Sequence, residues 1–243
     1  MKREVKSIIY IKLLLLVLVS SSVFLIAVFY SQPKNISLTS NVISDFDSNL
    51  LSYYPLDTNT NDLVGGNNGL NTGATQSSNG YYNGSYKFDG INDYIDISNL
   101  NFDKNQFTVS AWIKATNTSS SQGIVEFTRS TTGNGNNNRR GVWLGNSGKP
   151  NIVYGTGKIK RVSGSMDLRD GSWHHVIGLY DGSDTQIYVD GINRVLTAEE
   201  DADEGEEERQ LRIGHRMTNI SDDSFFNGSI DDVRVYGRGL NSS

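Results

Sequence analysis

Short runs in which apolar and polar residues alternate recur along the chain after residue 50. In the run FTVSAWIK the apolar residues share one parity: Phe107, Val109, Ala111 and Ile113. The run WHHVIGLYD has a second such series: Trp173, His175, Ile177 and Leu179. Because side chains alternate between the two faces of a strand, a period of two predicts sheets that bury one face. We therefore expect His175 to share the core-facing side of its strand with Ile177.

Turn residues separate these runs and support an all-β fold. Asp190-Gly191 follows the run TQIYV and predicts a hairpin turn, at which glycine accepts a positive φ. No stretch after residue 50 has a helical period over ten or more residues. The aromatic residues Trp112, Trp173 and Tyr188 are large enough to fill the space between two stacked sheets, and we expect them there.

The N-terminal part of the chain has a different composition. Residues 1–12 are basic, and residues 13–30 are mostly apolar and contain no charged residue. This length and polarity predict one N-terminal transmembrane helix, with residues 1–12 in the cytoplasm and the rest exported. A cleaved signal peptide is the alternative, and it would give a secreted protein. We interpret residues 31–49 as a linker and residues 50–243 as a single exported domain.

Composition excludes several classes of protein. The 243 residues include no cysteine, which excludes disulfide bonds, thiolate zinc sites and catalysis by a thiol. The net charge is -5, and a mildly acidic chain lacks the basic surface of a nucleic-acid binder. We therefore expect no nucleic-acid partner.

A series of short motifs follows in a fixed order along residues 50–240. They are YPLD at 54–57, ND at 61–62, KFDG at 87–90, DYI at 93–95, FTVSAWIK at 107–114, WHHV at 173–176, YVDG at 188–191, IG at 213–214, FNG at 226–228 and IDDVRVY at 230–236. In this order they resemble the laminin-G-like, concanavalin A-like jelly-roll domains of bacterial and archaeal surface proteins. The resemblance implies a β-sandwich of two antiparallel sheets, with the first and last strands adjacent. An acidic run at 199–208 departs from the family pattern, and we interpret it as a solvated loop.

Carboxylates near both ends of the predicted domain suggest a metal site. Asp57 and Asp62 lie near its start and Asp231 near its end, so pairing of the terminal strands would bring them together. Asp231 shares the parity of Val233 and Val235, which predicts an inward carboxylate that needs a partner. Oxygen-rich sites suit Ca²⁺, and many proteins of the family that the chain resembles bind calcium. The alternative is that Asp231 caps backbone amides of a turn.

Catalytic groups are less well supported. Residues 199–204 match the Glu-x-Asp-x-x-Glu pattern of some concanavalin-like glycosidases, but polar residues stand where a catalytic strand needs apolar ones. Glycoside hydrolysis by a retaining mechanism needs two carboxyl groups about 5 Å apart on a rigid support. His174 and His175 are adjacent and cannot chelate one metal ion from a strand. We expect the protein not to be an enzyme.

Two aromatic residues are candidates for contact with a sugar. Trp143 has the parity opposite to Val142 and Leu144, and Tyr154 follows in the next predicted strand. Aromatic side chains beside polar groups in a shallow cleft are typical of sugar sites. The alternative is that both residues belong to a second layer of the core.

These features favour a non-catalytic extracellular recognition or adhesion module, held at the cell membrane, whose partner is a glycan or a cell-surface protein. The alternatives are a structural component of the cell envelope and a glycosidase that acts on a polysaccharide. Fold resemblance does not decide between them.

Overall fold

The computed structural model describes residues 49–98, 100, 106–116, 118–129, 140–155, 158–193, 195–202, 209–216 and 224–240. The chain divides into two units, Met1–Val42 and Ile43–Ser243, and all the described residues belong to the second unit. The predicted segments 1–12 and 13–30 lie outside the described residues, as does the linker before Asn49. Within the described ranges, no helix has the length and apolar character needed to span a membrane.

The described residues form short β-strands throughout. In chain order these are β1 (Leu50–Tyr54), β2 (Leu70–Thr72), β3 (Thr75–Ser77), β4 (Ser85–Asp89), β5 (Tyr94–Ile97), β6 (Phe107–Ala115), β7 (Gln122–Arg129), β8 (Arg140–Leu144), β9 (Pro150–Gly155), β10 (Lys158–Gly164), β11 (His174–Tyr180), β12 (Thr185–Val189), β13 (Ile192–Asn193), β14 (Val195–Ala202), β15 (Arg209–Ile213), β16 (His215–Arg216), β17 (Ser224–Phe225) and β18 (Asn227–Tyr236).

Two eight-stranded antiparallel sheets contain nearly all of these strands. Sheet A has the order β13-β12-β11-β6-β18-β4-β3, and β1 also pairs with β18. Sheet B has the order β14-β10-β9-β8-β7-β15-β5-β2, and β16 and β17 form a separate hairpin. The predicted all-β sandwich of two antiparallel sheets is confirmed. The first and last strands are adjacent, as the family resemblance implies, with Tyr54 of β1 opposite Val233 of β18.

One hydrophobic core lies between the two sheets. The apolar face of β6 is buried as its alternation predicts, and Phe107 and Ile113 are inaccessible to solvent. Gly178 of β11 shows how closely the sheets approach. A Cβ atom there would lie 2.4 Å from Val142 and 2.8 Å from Ile152, both in sheet B. A residue larger than glycine would therefore force the sheets apart.

The predicted hairpin turn between β12 and β13 is also confirmed. Asp190 and Gly191 both have positive φ, at 52° and 77°. Two consecutive positive φ values are the geometry in which a two-residue turn matches the twist of its strands.

The face assignment predicted for β11 is wrong. Val176 belongs to the core, whereas His175 and Ile177 lie opposite Trp112 and Ser110 on the other face of sheet A. We call this face, which is turned away from sheet B, the outer face. Its residues in β11 include apolar ones, so alternation alone could not tell which face was buried.

The prediction of a loop over the acidic run is wrong for its first part. Glu199 and Glu200 lie in β14, the edge strand of sheet B, opposite Arg161 and Lys160 of β10. The pairing of β14 with β10 joins two segments that are separated in the chain, so the local sequence does not reveal it. Residues 203–208 of the run lie outside the described part of the chain.

Candidate functional site

A cluster of aromatic side chains lies on the outer face of sheet A. It consists of Tyr81, Tyr82, Trp112, Trp173 and His175, and we call it the aromatic platform. Tyr81 and Tyr82 are 43% and 53% exposed, and the other three are half-buried. The prediction that Trp112, Trp173 and Tyr188 fill the space between the sheets is therefore wrong, since Tyr188 also lies on the outer face, opposite Ile177. An exposed aromatic cluster of this kind is a candidate contact site.

The rings of the platform are stacked in layers. Tyr81 lies parallel to Trp112, with ring centroids 3.3 Å apart and planes at 10°. His175 of β11 stacks with Trp112 at 4.9 Å, and Trp173, just before β11, meets Tyr81 edge-on at 6.5 Å. Tyr82 stands at 89° to Tyr81, at 4.7 Å. The layered rings support one another, and the two tyrosines form the outermost layer.

His175 is a neutral member of this stack. Its burial lowers its pKa, and the nearby Arg234 acts in the same direction, against the opposing effects of Asp232 and Asp190. An uncharged imidazole stacks on an indole ring as an ordinary aromatic surface. The neighbouring His174 has another task, because its Nδ1 bonds Asp190 at 2.9 Å and its Nε2 bonds Asp170 at 3.3 Å. These bonds hold His174 against the turn that follows β12.

The two tyrosines are presented by a tight turn between β3 and β4. The sequence here is NGYYNG, residues 79–84, and we call it the tyrosine hairpin. The Gly80 N–H donates to the Asn83 carbonyl oxygen at 2.9 Å, and Asn83 has a φ of 53°. A Cβ atom on Gly80 would lie 1.8 Å from the Gly84 carbonyl oxygen, so only glycine fits at that position.

Asp231 lies beneath the tyrosine hairpin. It is the cross-strand partner of Trp112, and its carboxylate is 0% exposed. Its Oδ2 accepts the Tyr82 N–H at 2.8 Å. The prediction that Asp231 points inward with Val233 is wrong, because a β-bulge between Asp231 and Arg234 shifts the register of β18 against β6. A bulge adds one residue and so reverses the parity of what precedes it.

Burial dominates the electrostatics of Asp231. Removal from water raises the pKa of its carboxyl group to about 6, against the hydrogen bonds donated by the Tyr82 and Tyr81 N–H groups. The adjacent Asp232 adds a further rise through like-charge repulsion. The Oδ1 atom of Asp231 has no hydrogen-bond partner among the described residues. Burial thus destabilises the ionised form of Asp231, which accepts hydrogen bonds from the backbone of the tyrosine hairpin.

The other two predicted calcium ligands also accept backbone N–H groups. Asp57 Oδ1 accepts the Gly84 N–H at 3.0 Å, at the far end of the tyrosine hairpin. Asp62 receives three such bonds at 2.9–3.1 Å, from Tyr53, Val64 and Asn67. Burial alone would raise the pKa of Asp62, but these hydrogen bonds outweigh it and the net pKa is lowered.

The structure does not bring the three predicted calcium ligands together into one cluster. Within the described ranges, no group of three or more histidine, aspartate or glutamate side chains could hold a metal ion. Asp62 closes its own turn, whereas Asp57 and Asp231 both contact the tyrosine hairpin. Each of these carboxylates has at least one oxygen that accepts a backbone N–H group. The alternative stated for Asp231, the capping of turn amides, describes the contacts of all three.

The predicted ligand residues Trp143 and Tyr154 lie in sheet B, away from the platform. Trp143 is 4% exposed, and the Arg216 guanidinium covers its ring at 4.4 Å. Arg216 Nε also lies 3.4 Å from the buried Glu126 carboxylate. The side chain of Tyr154 lies outside the described part of the structure.

Sequence reasoning missed Tyr81 and Tyr82. The available signal was their position, since two adjacent aromatic residues stand inside a turn between two Asn-Gly pairs. Turn residues are exposed, so aromatic side chains there are not part of a core. A second signal was Trp112, which has the parity of the polar residues Ser110 and Lys114 rather than that of the apolar residues of β6.

Comparisons with known proteins agree with this architecture. A laminin-G-type profile of the concanavalin A-like lectin/glucanases superfamily matches residues 89–243. A search of curated protein sequences gave no significant match. Among solved structures, domain 4 of AbnA, an extracellular GH43 arabinanase from Geobacillus stearothermophilus in complex with arabinotriose, is 18% identical with a TM-score of 0.52. That alignment covers 79% of this chain and 94% of the domain.

Two further solved structures contain the same kind of sandwich within larger chains. Trypanosoma rangeli sialidase in complex with sialic acid is 15% identical with a TM-score of 0.59, over 80% of this chain and 32% of the sialidase. The binding domain of botulinum neurotoxin DC in complex with SialylT is 14% identical with a TM-score of 0.56, over 80% and 49%. This chain thus spans about a third of the one and half of the other. These identities show a shared fold, and the profile match spans more than half of the 243 residues. The chain belongs to the concanavalin A-like lectin/glucanases superfamily.

Proposed function

We propose that the protein is a non-catalytic carbohydrate-recognition module whose sugar-binding surface is the aromatic platform on sheet A. The observation that carries the proposal is the exposure of Tyr81 and Tyr82 above a stacked Trp112. From the N-terminal sequence, we propose further that the module faces the outside of the cell and is held at the membrane.

The chemistry of the platform suits a sugar ring. A pyranose presents C–H groups on its flat face and hydroxyl groups at its edge. Tyrosine matches both, since its ring is apolar and its hydroxyl group forms hydrogen bonds. The rings of Tyr81, Trp112 and His175 are stacked on one another, so little side-chain entropy is lost on binding. Such preorganised aromatic contacts are typical of residues that dominate binding energy.

The ligands bound to two of the structural neighbours are carbohydrates too. They are arabinotriose for the arabinanase domain and sialic acid for the sialidase. These ligands belong to those proteins, and fold similarity transfers only an expectation. The absence of catalysis is part of our proposal. Asp231 is sealed beneath the hairpin, and Glu199 and Asp201 lie on the edge strand of sheet B.

The experiment is a glycan array with the full-length chain in detergent, followed by calorimetric titration of the strongest hit. Tyr81→Ala and Tyr82→Ala should each weaken binding about tenfold or more, the loss expected of a central aromatic contact. Leu70→Ala is the matched control, because Leu70 is 72% exposed but belongs to sheet B. Its affinity should equal that of the parent. An array without hits, or binding that survives both tyrosine substitutions, would refute the proposal.

A further inference from the structure

Two carboxylates hold the tyrosine hairpin from below. Asp231 accepts the N–H of Tyr82 at 2.8 Å near the tip, and Asp57 accepts the N–H of Gly84 at 3.0 Å at the end. The two aspartates come from opposite ends of the domain sequence. Asp57 follows β1 and Asp231 lies in β18, and these two strands pair in sheet A. The hairpin is therefore tied to the place where the chain termini of the sandwich meet.

The fit around these bonds leaves little room for another arrangement. A Cβ atom on Gly80 would lie 2.9 Å from Asp231 Oδ2, and one on Gly84 would lie 2.2 Å from the Asp57 carbonyl oxygen. Both glycines thus allow the hairpin backbone to approach the two aspartates closely. Hydrogen bonds from N–H groups to an ionised carboxylate are short and about twice as strong as neutral ones. The backbone position of the two tyrosines depends on these contacts.

We infer that Asp57 and Asp231 are positioning residues of the sugar-binding surface, which fix Tyr81 and Tyr82 over Trp112 through backbone N–H groups and without a metal ion. The role in sugar binding rests on the proposed function. The seating of the hairpin does not, because it can be measured without any ligand. Substitution by asparagine distinguishes an aspartate that binds calcium from one that only accepts backbone N–H groups. Asparagine keeps a side-chain oxygen for the amide but loses the charge that a cation needs.

The test compares Asp231→Ala with Asp231→Asn in the full-length chain. Hydrogen exchange followed by mass spectrometry reports the hairpin residues 79–84, and glycan titration reports the surface. Asp231→Ala should raise exchange in the hairpin about tenfold or more, the effect of losing one charge-assisted hydrogen bond. It should weaken glycan binding by a similar factor. Asp231→Asn should keep both values within about threefold of the parent, and EDTA or added CaCl₂ should change neither.

A second pair of variants keeps the test usable if Asp231→Ala does not fold. Asp57 is only half-buried, so Asp57→Ala and Asp57→Asn should fold and should repeat the same contrast in the hairpin. Asp181→Ala is the matched control. Asp181 accepts the N–H groups of Ser183 and Asp184 at 2.9 and 2.8 Å in the turn after β11. Its loss should raise exchange in that turn alone.

Each outcome has one meaning. Alanine variants that exchange like the parent would overturn the positioning role. Asparagine variants as damaged as alanine variants, together with hairpin exchange that EDTA raises, would overturn it in favour of a metal site. If the hairpin loosens as expected but glycan affinity does not change, the sugar-binding surface lies elsewhere. That result would overturn the inference through its dependence on the proposed function.

Discussion

Asp231→Asn should change how the stability of the sandwich depends on pH. Burial raises the pKa of Asp231 to about 6 from an ordinary value of 3.8. The folded state therefore holds this proton more tightly than the unfolded state. Stability from this group is fully present below about pH 4 and is lost as the pH rises through 6. A difference of about 2 pK units corresponds to about 3 kcal/mol between the two limits.

The assay is urea unfolding at steps from pH 4 to pH 7.5, followed by tryptophan fluorescence. All three tryptophans, Trp112, Trp143 and Trp173, lie in the described sandwich, so the signal reports that unit. The free energy of unfolding of Asp231→Asn minus that of the parent should increase by about 2 kcal/mol between pH 4 and pH 7. The prediction concerns how this difference changes with pH. Its absolute size also contains contacts that the asparagine changes and that do not titrate.

Asp62→Asn is the matched control, since Asp62 also accepts backbone N–H groups but has a lowered pKa. Its contribution is present above the ordinary aspartate pKa and is lost only below it. The difference between Asp62→Asn and the parent should therefore stay level from pH 4.5 to pH 7. A level curve for Asp231→Asn over the same range, or one of opposite slope, would refute the account of a buried, strained carboxylate.

Two further predictions concern packing. Gly214→Ala should cost about 3 kcal/mol in urea unfolding, because φ is 84° and the new Cβ would lie 2.4 Å from the Phe88 ring. Gly171→Ala has a similar φ of 77° but open space around it, and it should cost about 1 kcal/mol; equal losses would contradict the steric explanation. Arg216→Met removes the cation next to the buried Glu126 and the cover of Trp143. It should cost about 3 kcal/mol, and an unchanged urea midpoint would show that this ion pair is not structural.

Much of the fold could be predicted from the sequence because the relevant rules are local. The alternation in β6 placed Phe107 and Ile113 in the core, and Asp190-Gly191 marked the hairpin turn between β12 and β13. The order of short motifs carried the rest, including the pairing of β1 with β18. The core face of β6 and the turn depend on a few neighbouring residues, whereas the pairing of β1 with β18 was implied only by the family resemblance.

The site could not be predicted because it depends on contacts that the local pattern does not contain. The bulge after Asp231 reverses a parity that the sequence IDDVRVY otherwise indicates. The outer face of β11 is covered by aromatic rings, so it looks like a core face by composition. The burial of Trp143 depends on Arg216, which lies in the separate hairpin of β16 and β17. Each of these is a contact between segments far apart in the chain.

The most direct test of the central claim is a crystal structure of the protein with the best-binding oligosaccharide from the array. We predict a sugar ring packed within about 4 Å of the Tyr81 or Tyr82 ring, on the outer face of sheet A. A sugar bound on sheet B beside Trp143, with the tyrosine hairpin empty, would contradict the assignment of the binding surface.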